Sequence, residues 1–152
     1  MEEKVMRSNY CMHLDYSVPL GETWTKFMLG LKGKKIYGNR CSKCGRMYVP
    51  PQPFCPICYK KIEDWVETSG EGIVVSFCIT YQKFMNLPEP PFTLGIIRVD
   101  DSATCMMHRM GGIKYEHPED LPDKITLGMK VKPVWAEERK GEILDIAYFK
   151  PV

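Results

Sequence analysis

Two cysteine motifs decide the fold of this chain: Cys41-Ser42-Lys43-Cys44-Gly45 and Cys55-Pro56-Ile57-Cys58, with ten residues between Cys44 and Cys55. Each motif spaces its cysteines so that one tight turn aims both sulfurs at the same point. Two such turns supply four thiolates to one tetrahedral ion, the coordination that zinc prefers. The iron of a rubredoxin-like centre accepts the same spacing, so both metals stay open here. Because four sulfur ligands leave no position for water or substrate, we expect a structural ion.

The composition is that of a globular protein. The 152 residues are 44% hydrophobic and 26% charged, which excludes a disordered chain, a coiled coil and a collagen-like repeat. No apolar run approaches the ~18 residues that a membrane span needs, and the first residues lack the apolar core of a signal peptide. Seven cysteines, four of them clustered, fit a reducing compartment better than a disulfide framework. We therefore predict a cytoplasmic protein without a membrane segment.

The charge is distributed unevenly along the chain. Residues 1–66 carry a net charge of +5, and residues 67–152 carry a net charge of −3. This asymmetry indicates that the first half faces an anion, which could be a nucleic acid, a nucleotide or an acidic partner. A solvated basic face explains the same numbers equally well.

A short segment near the N-terminus has helical periodicity. Trp24, Phe27, Met28 and Leu31 recur at the spacing of one helix face, and Gly33 stands where a left-handed residue would end the helix. So short a helix must pack this apolar stripe against something. Either its own domain or another protein covers it.

The second half of the chain is patterned as β-strands. The first strand alternates between apolar and polar residues, and its apolar side holds Ile73, Val75, Phe77, Ile79 and Tyr81. The strand candidates are Ile73–Gln82, Phe92–Val99, Ala103–Met110, Met129–Glu137 and Glu142–Phe149. Five strands without helical crossovers indicate a small antiparallel barrel or sandwich. The long connection between the third and fourth strands is typical of an OB-fold, although other five-stranded barrels share this spacing.

No arrangement of catalytic side chains stands out in the sequence. Cys105 and His108 are three residues apart on a predicted strand, so they point to opposite faces and cannot act together as thiol and base. Cys78 lies on the outward face of its strand, with no acid or histidine two positions away. The glycine signatures of Rossmann and P-loop nucleotide sites are missing. We therefore expect no catalytic residues in this chain.

Basic and aromatic residues are interleaved around the cysteine motifs. They are Lys32, Lys34, Lys35, Tyr37, Arg40, Lys43, Arg46, Tyr48, Phe54, Tyr59, Lys60 and Lys61. This pattern suits single-stranded nucleic acid, through phosphate contacts and base stacking. It suits equally the phosphates and adenine of coenzyme A, and the residue pattern alone does not separate the two.

Taken in order, these residues resemble a family of zinc-ribbon and OB-fold proteins that associate with acyl-CoA enzymes. The resemblance extends over residues 19–152. Besides the helix stripe and the cysteine motifs, it is carried by Pro50-Pro51, Trp65, Gly70, Gly72, Pro91-Phe92, Leu127-Gly128-Met129 and Phe149-Lys150-Pro151. It implies a mainly β fold: an N-terminal arm and helix over residues 1–36, a rubredoxin-like zinc ribbon over 37–66, and a five-stranded OB-fold barrel over 67–152.

The resemblance also implies a function. Members of the family form hetero-oligomers with thiolase-fold enzymes, and the large partner carries the catalytic cysteine. This chain is then expected to be a non-catalytic accessory subunit that supports assembly and acyl-CoA binding, while the partner makes or breaks a carbon–carbon bond. The implied ligands of a structural zinc ion are Cys41, Cys44, Cys55 and Cys58.

Two further sets of residues are candidates for contacts outside the chain. The candidates for CoA phosphate contact are Lys32, Lys34, Lys35 and Arg40. The candidates for partner contact are the helix residues Trp24, Phe27, Met28 and Leu31 and the loop residues Phe84, Met85, Leu87 and Phe92, because these apolar side chains are costly to expose. The chain departs from the family at Tyr59, where such ribbons often have glycine, and at Gln52, where they often have arginine.

Two rival functions remain on the sequence. Zinc ribbons and OB barrels also bind polynucleotides, so a single-stranded nucleic-acid-binding protein is the main alternative. The acidic barrel half argues against it, since that face would carry the cations that follow a phosphate backbone. The second alternative is a stand-alone redox protein with an iron centre, which a red colour of the purified protein would reveal.

Overall fold

The computed structural model describes Tyr10, residues 16–83 and residues 88–152, so most of the predicted arm lies outside the described residues. Helix α1 spans Gly21–Lys32, and strands β1 to β8 span Tyr37–Arg40, Met47–Tyr48, Asp64–Glu67, Gly72–Thr80, Phe92–Val99, Met106–Met110, Lys130–Trp135 and Ile146–Pro151. Short 3-10 helices occupy Pro118–Asp120, Pro122–Lys124 and Ile143–Asp145. The predicted mainly β fold is confirmed: a helix, a cysteine-bearing ribbon and a five-stranded barrel follow one another.

Strands β1, β2 and β3 form the small ribbon sheet. Strand β1 is central and pairs antiparallel with β2 on one side and β3 on the other. The end of β2 and the residue after it come so close to β1 that a Cβ atom on Gly38 would lie 2.8 Å from Cγ2 of Val49 and 2.9 Å from the carbonyl oxygen of Tyr48. Glycine at position 38 therefore permits the tight packing of the ribbon.

Strands β4 to β8 close into a barrel in the order β4-β5-β6-β8-β7, with β7 paired back onto β4. The neighbours are antiparallel except β6 and β8, which run parallel. A closed five-stranded barrel with one parallel pair and a long connection before its fourth strand is the OB-fold arrangement.

The pairing of β6 with β8 is the shortest seam of the barrel. Its register contains a single pair, Met110 with Phe149. Side chains extend it: Nε2 of His108 lies 3.1 Å from the carbonyl oxygen of Ile143, and Nη2 of Arg109 donates to the carbonyl of Ala147 at 3.0 Å. Side-chain hydrogen bonds to backbone carbonyls therefore supplement a short ladder.

A bulge in β4 changes which side chains face the barrel interior. The register with β5 shifts between Val74 and Ser76. Val74 is fully buried, whereas Val75 is 41% exposed. The predicted inward position of Val75 is therefore wrong, because the bulge inserts one residue and reverses the alternation beyond it. Tyr81, predicted on the same side, follows the end of β4 and is 50% exposed. Phe77 and Ile79 pack against the core as predicted.

Helix α1 turns its apolar stripe toward the chain's own core. Phe27 and Leu31 are fully buried there, and Trp24 and Met28 are half-buried against the same cluster. Of the two alternatives for the stripe, intramolecular packing is the correct one. No described helix combines the length and the apolar character that crossing a bilayer requires.

The end of the helix differs from the expectation. Gly33 has a φ of −84°, and the left-handed residue is Lys34, with a φ of 61°. Lys34 donates its N–H to the carbonyl of Leu31, and Lys35 donates to the carbonyl of Gly30, each at 2.9 Å. The reversal of the chain thus comes one residue later than predicted.

One hydrophobic core joins the helix, the ribbon and the barrel. Phe27 and Leu31 come from α1 and Met47 and Val49 from the ribbon; the barrel contributes Val74, Ile97, Val99, Met106, Met110, Val131, Ile146 and Phe149. A core shared in this way predicts that the three segments unfold together.

The loop between β7 and β8 is organised by a buried carboxylate. Asp145 accepts hydrogen bonds from the backbone N–H groups of Lys140 at 2.9 Å and Gly141 at 2.8 Å. Burial opposes its ionisation, but the N–H donors outweigh burial and lower the pKa of Asp145 below its ordinary value. This turn replaces the start of the strand predicted from Glu142, so β8 begins at Ile146.

Strand β6 also begins later than predicted, because the residues before it bind the ribbon. The N–H of Ala103 donates to the carbonyl of Met47 at 2.7 Å. Oγ1 of Thr104 accepts from the N–H of Val49 and donates to the carbonyl of the same residue, each at 3.0 Å. These bonds fix the position of the cysteine ribbon on the barrel.

Candidate metal centre

The two cysteine motifs form two turns of the same geometry, here called the first knuckle (Cys41–Arg46) and the second knuckle (Cys55–Lys60). In each turn the N–H of the fifth residue donates to the carbonyl of the first cysteine at 2.8 Å: Gly45 to Cys41, and Tyr59 to Cys55. The first cysteine in turn donates its N–H to the carbonyl of the sixth residue, at 2.9 and 2.8 Å. This repeated geometry aims both cysteine pairs at one point.

The fifth residue of each knuckle adopts the left-handed conformation. Gly45 has a φ of 71° and Tyr59 a φ of 55°. The departure of Tyr59 from the family pattern therefore leaves the turn intact, at the steric cost that a Cβ atom carries in this region.

The four cysteine sulfurs converge. The Sγ atoms of Cys41, Cys44, Cys55 and Cys58 all lie within 4.8 Å of one another, and Cys44 Sγ is 3.7 Å from Cys55 Sγ. Ligands at the Zn–S length of about 2.3 Å lie about 3.8 Å apart around a tetrahedral ion. The donor set and its spacing therefore fit zinc, and the coordination is complete with sulfur alone.

Electrostatics favours a cation at this point. The hydroxyl of Tyr48 lies 3.2 Å from Sγ of Cys55, and this hydrogen bond is the main cause that lowers the pKa of Cys55 to about 6. Burial, followed by the neighbouring sulfurs, raises the pKa of Cys58. Four thiolates therefore accumulate together only if a cation offsets their charge. The sequence analysis placed Tyr48 among the rings available for stacking, but its side chain is buried and supports the cysteine site instead.

Two of the four predicted CoA-contact residues already form ion pairs or hydrogen bonds within the chain. Lys35 lies 2.8 Å from the carboxylate of Glu67. Nη1 of Arg40 donates to the carbonyl of Gly45 at 2.7 Å, and its Nη2 lies 3.7 Å from Asp101. Both side chains therefore already have partners within the chain. Lys32 and Lys34 are exposed.

The predicted partner-contact residues need a correction. Phe27, Leu31 and Phe92 are buried in the chain itself, so they offer no surface to a partner. Trp24 and Met28 keep part of their surface at the rim of the core. The loop residues Phe84, Met85 and Leu87 lie outside the described residues.

The remaining cysteines and histidines do not extend the site. Cys78 and Cys105 are exposed. His108 is buried on the inner face of β6, whereas its neighbour Met107 is exposed on the outer face. Within residues 16–83 and 88–152, the four ribbon cysteines are the group of side chains that could hold a metal ion.

Comparison with known proteins agrees with this geometry. Residues 34–61 match the family model described as the rubredoxin-like zinc ribbon domain of ChsH2, and residues 65–136 match the C-terminal OB-fold domain of ChsH2. The two models together cover more than half of the chain. The chain belongs to this ChsH2 family of zinc-ribbon and OB-fold proteins, and its four cysteines are positioned for zinc binding.

Two known protein sequences are similar to the chain. A "Probable enoyl-CoA hydratase alpha subunit" of Thermomonospora curvata is 29% identical over 106 residues, which are 70% of this chain and 31% of that protein. The chain thus spans about a third of the length of this relative. A "DUF35 domain-containing scaffold protein" of Pyrococcus furiosus is 21% identical over 123 residues, which are 78% of this chain and 84% of the relative.

Two solved structures share the fold. A DUF35-family protein of unknown function from Sulfolobus solfataricus superposes with a TM-score of 0.66 at 28% identity, over 87% of each chain. A chain of the "Ltp2-ChsH2(DUF35) aldolase" superposes with a TM-score of 0.61 at 25% identity, over 83% of this chain and 91% of that chain.

Proposed function

We propose that this chain is a non-catalytic, zinc-stabilised subunit of a hetero-oligomeric acyl-CoA enzyme with a thiolase-fold catalytic partner. The observation that carries the proposal is the likeness to a chain of the Ltp2-ChsH2(DUF35) aldolase, an enzyme whose name combines a ChsH2 component with a second protein, Ltp2. The hydratase subunit of Thermomonospora curvata and the scaffold protein of Pyrococcus furiosus support an association with acyl-CoA chemistry and a scaffold role.

The chemistry of the site supports the same division of roles. An ion with four sulfur ligands has no open position at which to bind a water molecule or a thioester, so it serves folding and not turnover. The bond-making thiol then belongs to the partner. This chain contributes a rigid surface for assembly and for access of the acyl-CoA, and Lys32 and Lys34 are the exposed cations proposed to meet its phosphates.

A cytoplasmic location is part of the proposal. A reducing compartment keeps the four ribbon cysteines as thiols that can bind zinc, whereas an oxidising one favours disulfides between them.

The experiment is co-purification of the tagged, zinc-loaded chain from its native host, with the bound proteins identified by mass spectrometry. A thiolase-fold partner, together with acyl-CoA turnover by the complex and none by the isolated chain, is the expected result. Turnover of an acyl thioester by the isolated chain, or a partner from nucleic-acid metabolism, contradicts the proposal.

A narrower form of the proposal names the substrate. The resemblance extends to the small subunit of benzoylsuccinyl-CoA thiolase, an enzyme of anaerobic toluene breakdown. The purified complex is then expected to cleave benzoylsuccinyl-CoA with free CoA as the acyl acceptor. A complex that uses other acyl-CoA substrates but not this one rejects the narrower form and retains the general one.

A further inference from the structure

The second knuckle and the residue before it expose three large apolar side chains. Phe54, Ile57 and Tyr59 are 58%, 57% and 86% exposed, and we call them the knuckle patch. The interior of the ribbon is filled without them, by a separate buried cluster of Cys41, Tyr48, Cys55 and Ile62. The knuckle patch therefore contributes little to the packing of the ribbon, while its exposure to water costs free energy.

Tyr59 pays a second cost in its backbone. At the equivalent position of the first knuckle the chain uses Gly45, which adopts the left-handed conformation freely. A residue with a Cβ atom loses about 1–2 kcal/mol there. A strained residue whose ring is almost fully exposed is explained neither by packing nor by turn geometry, and such outliers concentrate at functional surfaces.

Cations surround the knuckle patch. Lys60 follows Tyr59 directly, and the backbone of Lys61 pairs with that of Phe54. Lys43 and Arg46 add exposed positive charge on the first knuckle. A zinc ion with four thiolates has a net charge of −2, so these four cations leave the knuckles positive. Within the described residues, Lys61 pairs with Glu63, while Lys60 has no carboxylate within 4.0 Å.

We propose that the knuckle patch docks an acidic segment of a protein partner that carries an apolar anchor residue. The anchor packs among Phe54, Ile57 and Tyr59, and a flanking carboxylate pairs with Lys60, which has no carboxylate partner among the described residues. This inference rests on the proposed function in one respect, namely that the segment belongs to the large partner subunit. A polynucleotide extends beyond the knuckles, where the net charge of −3 over residues 67–152 opposes its phosphates, whereas a short acidic segment needs only the positive knuckles.

The test uses the full-length, zinc-loaded chain and the partner that co-purifies with it. Tyr59→Gly removes the ring and suits the left-handed backbone, and Lys60→Glu reverses the unpaired charge. Matched controls are Tyr16→Ala and Lys132→Glu, an exposed tyrosine and an exposed lysine outside the knuckles. Each patch variant is expected to weaken the measured affinity at least tenfold, and each control less than twofold.

Zero-length carbodiimide coupling is expected to join Lys60 or Lys61 to an Asp or Glu of the partner.

The outcomes separate this inference from the proposed function. Capture of an acyl-CoA enzyme with equal affinity by all variants, or carbodiimide coupling only at lysines outside the knuckles, overturns the docking surface and leaves the proposed function intact. Coupling and patch-dependent binding to a protein of another class supports the docking surface and overturns the proposed function. If no protein is captured, or if a labelled 15-nucleotide oligo(dT) binds in a Tyr59-dependent manner, both proposals fail.

Discussion

Arg139 donates a hydrogen bond from Nε to the backbone carbonyl of Lys32 at 2.9 Å, across 107 residues of sequence. Its Nη1 also donates to the carbonyls of Ala136 at 2.8 Å and Glu137 at 3.0 Å. One guanidinium therefore joins the C-terminal end of helix α1 to the loop between β7 and β8. Since the last carbonyls of a helix have no partner within it, this side chain also acts as a cap.

Replacing this side chain is expected to loosen the helix from the barrel. Arg139→Ala removes three hydrogen bonds to carbonyls that water can partly replace, so we expect a loss of about 1–3 kcal/mol in the free energy of unfolding. Urea unfolding followed by tryptophan fluorescence measures it, with Lys140→Ala as the control. If both variants unfold at the same urea concentration as the wild type, Arg139 has no anchoring role.

Removing one sulfur ligand is expected to unfold the ribbon. Cys44→Ser leaves three thiolates, and because the metal supplies much of the folding free energy of such a module, bound zinc falls to near zero and Tm falls by roughly 10 °C. Metal analysis and calorimetry measure the two effects. Cys78→Ser, at an exposed thiol outside the knuckles, is the control and keeps both values. Full zinc content in Cys44→Ser contradicts the assigned ligand set.

The left-handed turns predict opposite effects of two substitutions. Tyr59→Gly relieves backbone strain in the second knuckle and is expected to stabilise the chain by about 0.5–1 kcal/mol. Gly45→Ala introduces the same strain into the first knuckle and costs about 1 kcal/mol. Backbone strain is the whole of this cost, because a Cβ atom at position 45 meets no atom within 4 Å and causes no clash. Chemical denaturation of both variants measures the difference. A destabilised Tyr59→Gly protein would show that the ring supports the fold.

His108 gives stability a dependence on pH. Burial, the largest cause, lowers the pKa of His108 below its ordinary value of 6.5, so the folded chain binds a proton less readily than the unfolded chain. The stability contributed by neutral His108 is therefore complete above about pH 6.5 and is lost as the pH falls through the folded-state pKa. The urea midpoint is expected to fall between pH 7 and pH 5.5 in the wild type. His108→Gln should flatten this slope and the control His117→Gln should not.

The two exposed lysines at the end of helix α1 test the CoA contact. The double variant Lys32→Glu and Lys34→Glu is expected to raise KM for the acyl-CoA about fivefold in the assembled complex, since an exposed ion pair contributes up to about 1 kcal/mol. The value of kcat should stay unchanged. Assays at low salt maximise the effect, and Lys132→Glu controls for net charge. An unchanged KM at low salt rejects the contact.

The sequence predicted the features that depend on local pattern. Cysteine spacing determined the ribbon, and the period of apolar residues located helix α1 and the barrel strands. The bulge after Val74 could not be predicted in this way, because the apolar and polar residues of β4 alternate in the sequence even though one residue is inserted in the pairing with β5. Local pattern does not report distant side-chain bonds either: the contacts of Thr104 with Val49 and of Arg139 with Lys32 depend on the final packing.

The two hydrogen bonds between Thr104 and Val49 connect the metal-binding ribbon to the barrel, so metal binding affects the stability of the barrel as well. Since the ribbon and the barrel share one core, the binding free energy of zinc stabilises the whole molecule and not the knuckles alone. A chelator is then expected to lower the melting temperature of strands that contact no sulfur. Zinc supply in the cell would accordingly set how much of this protein survives proteolysis.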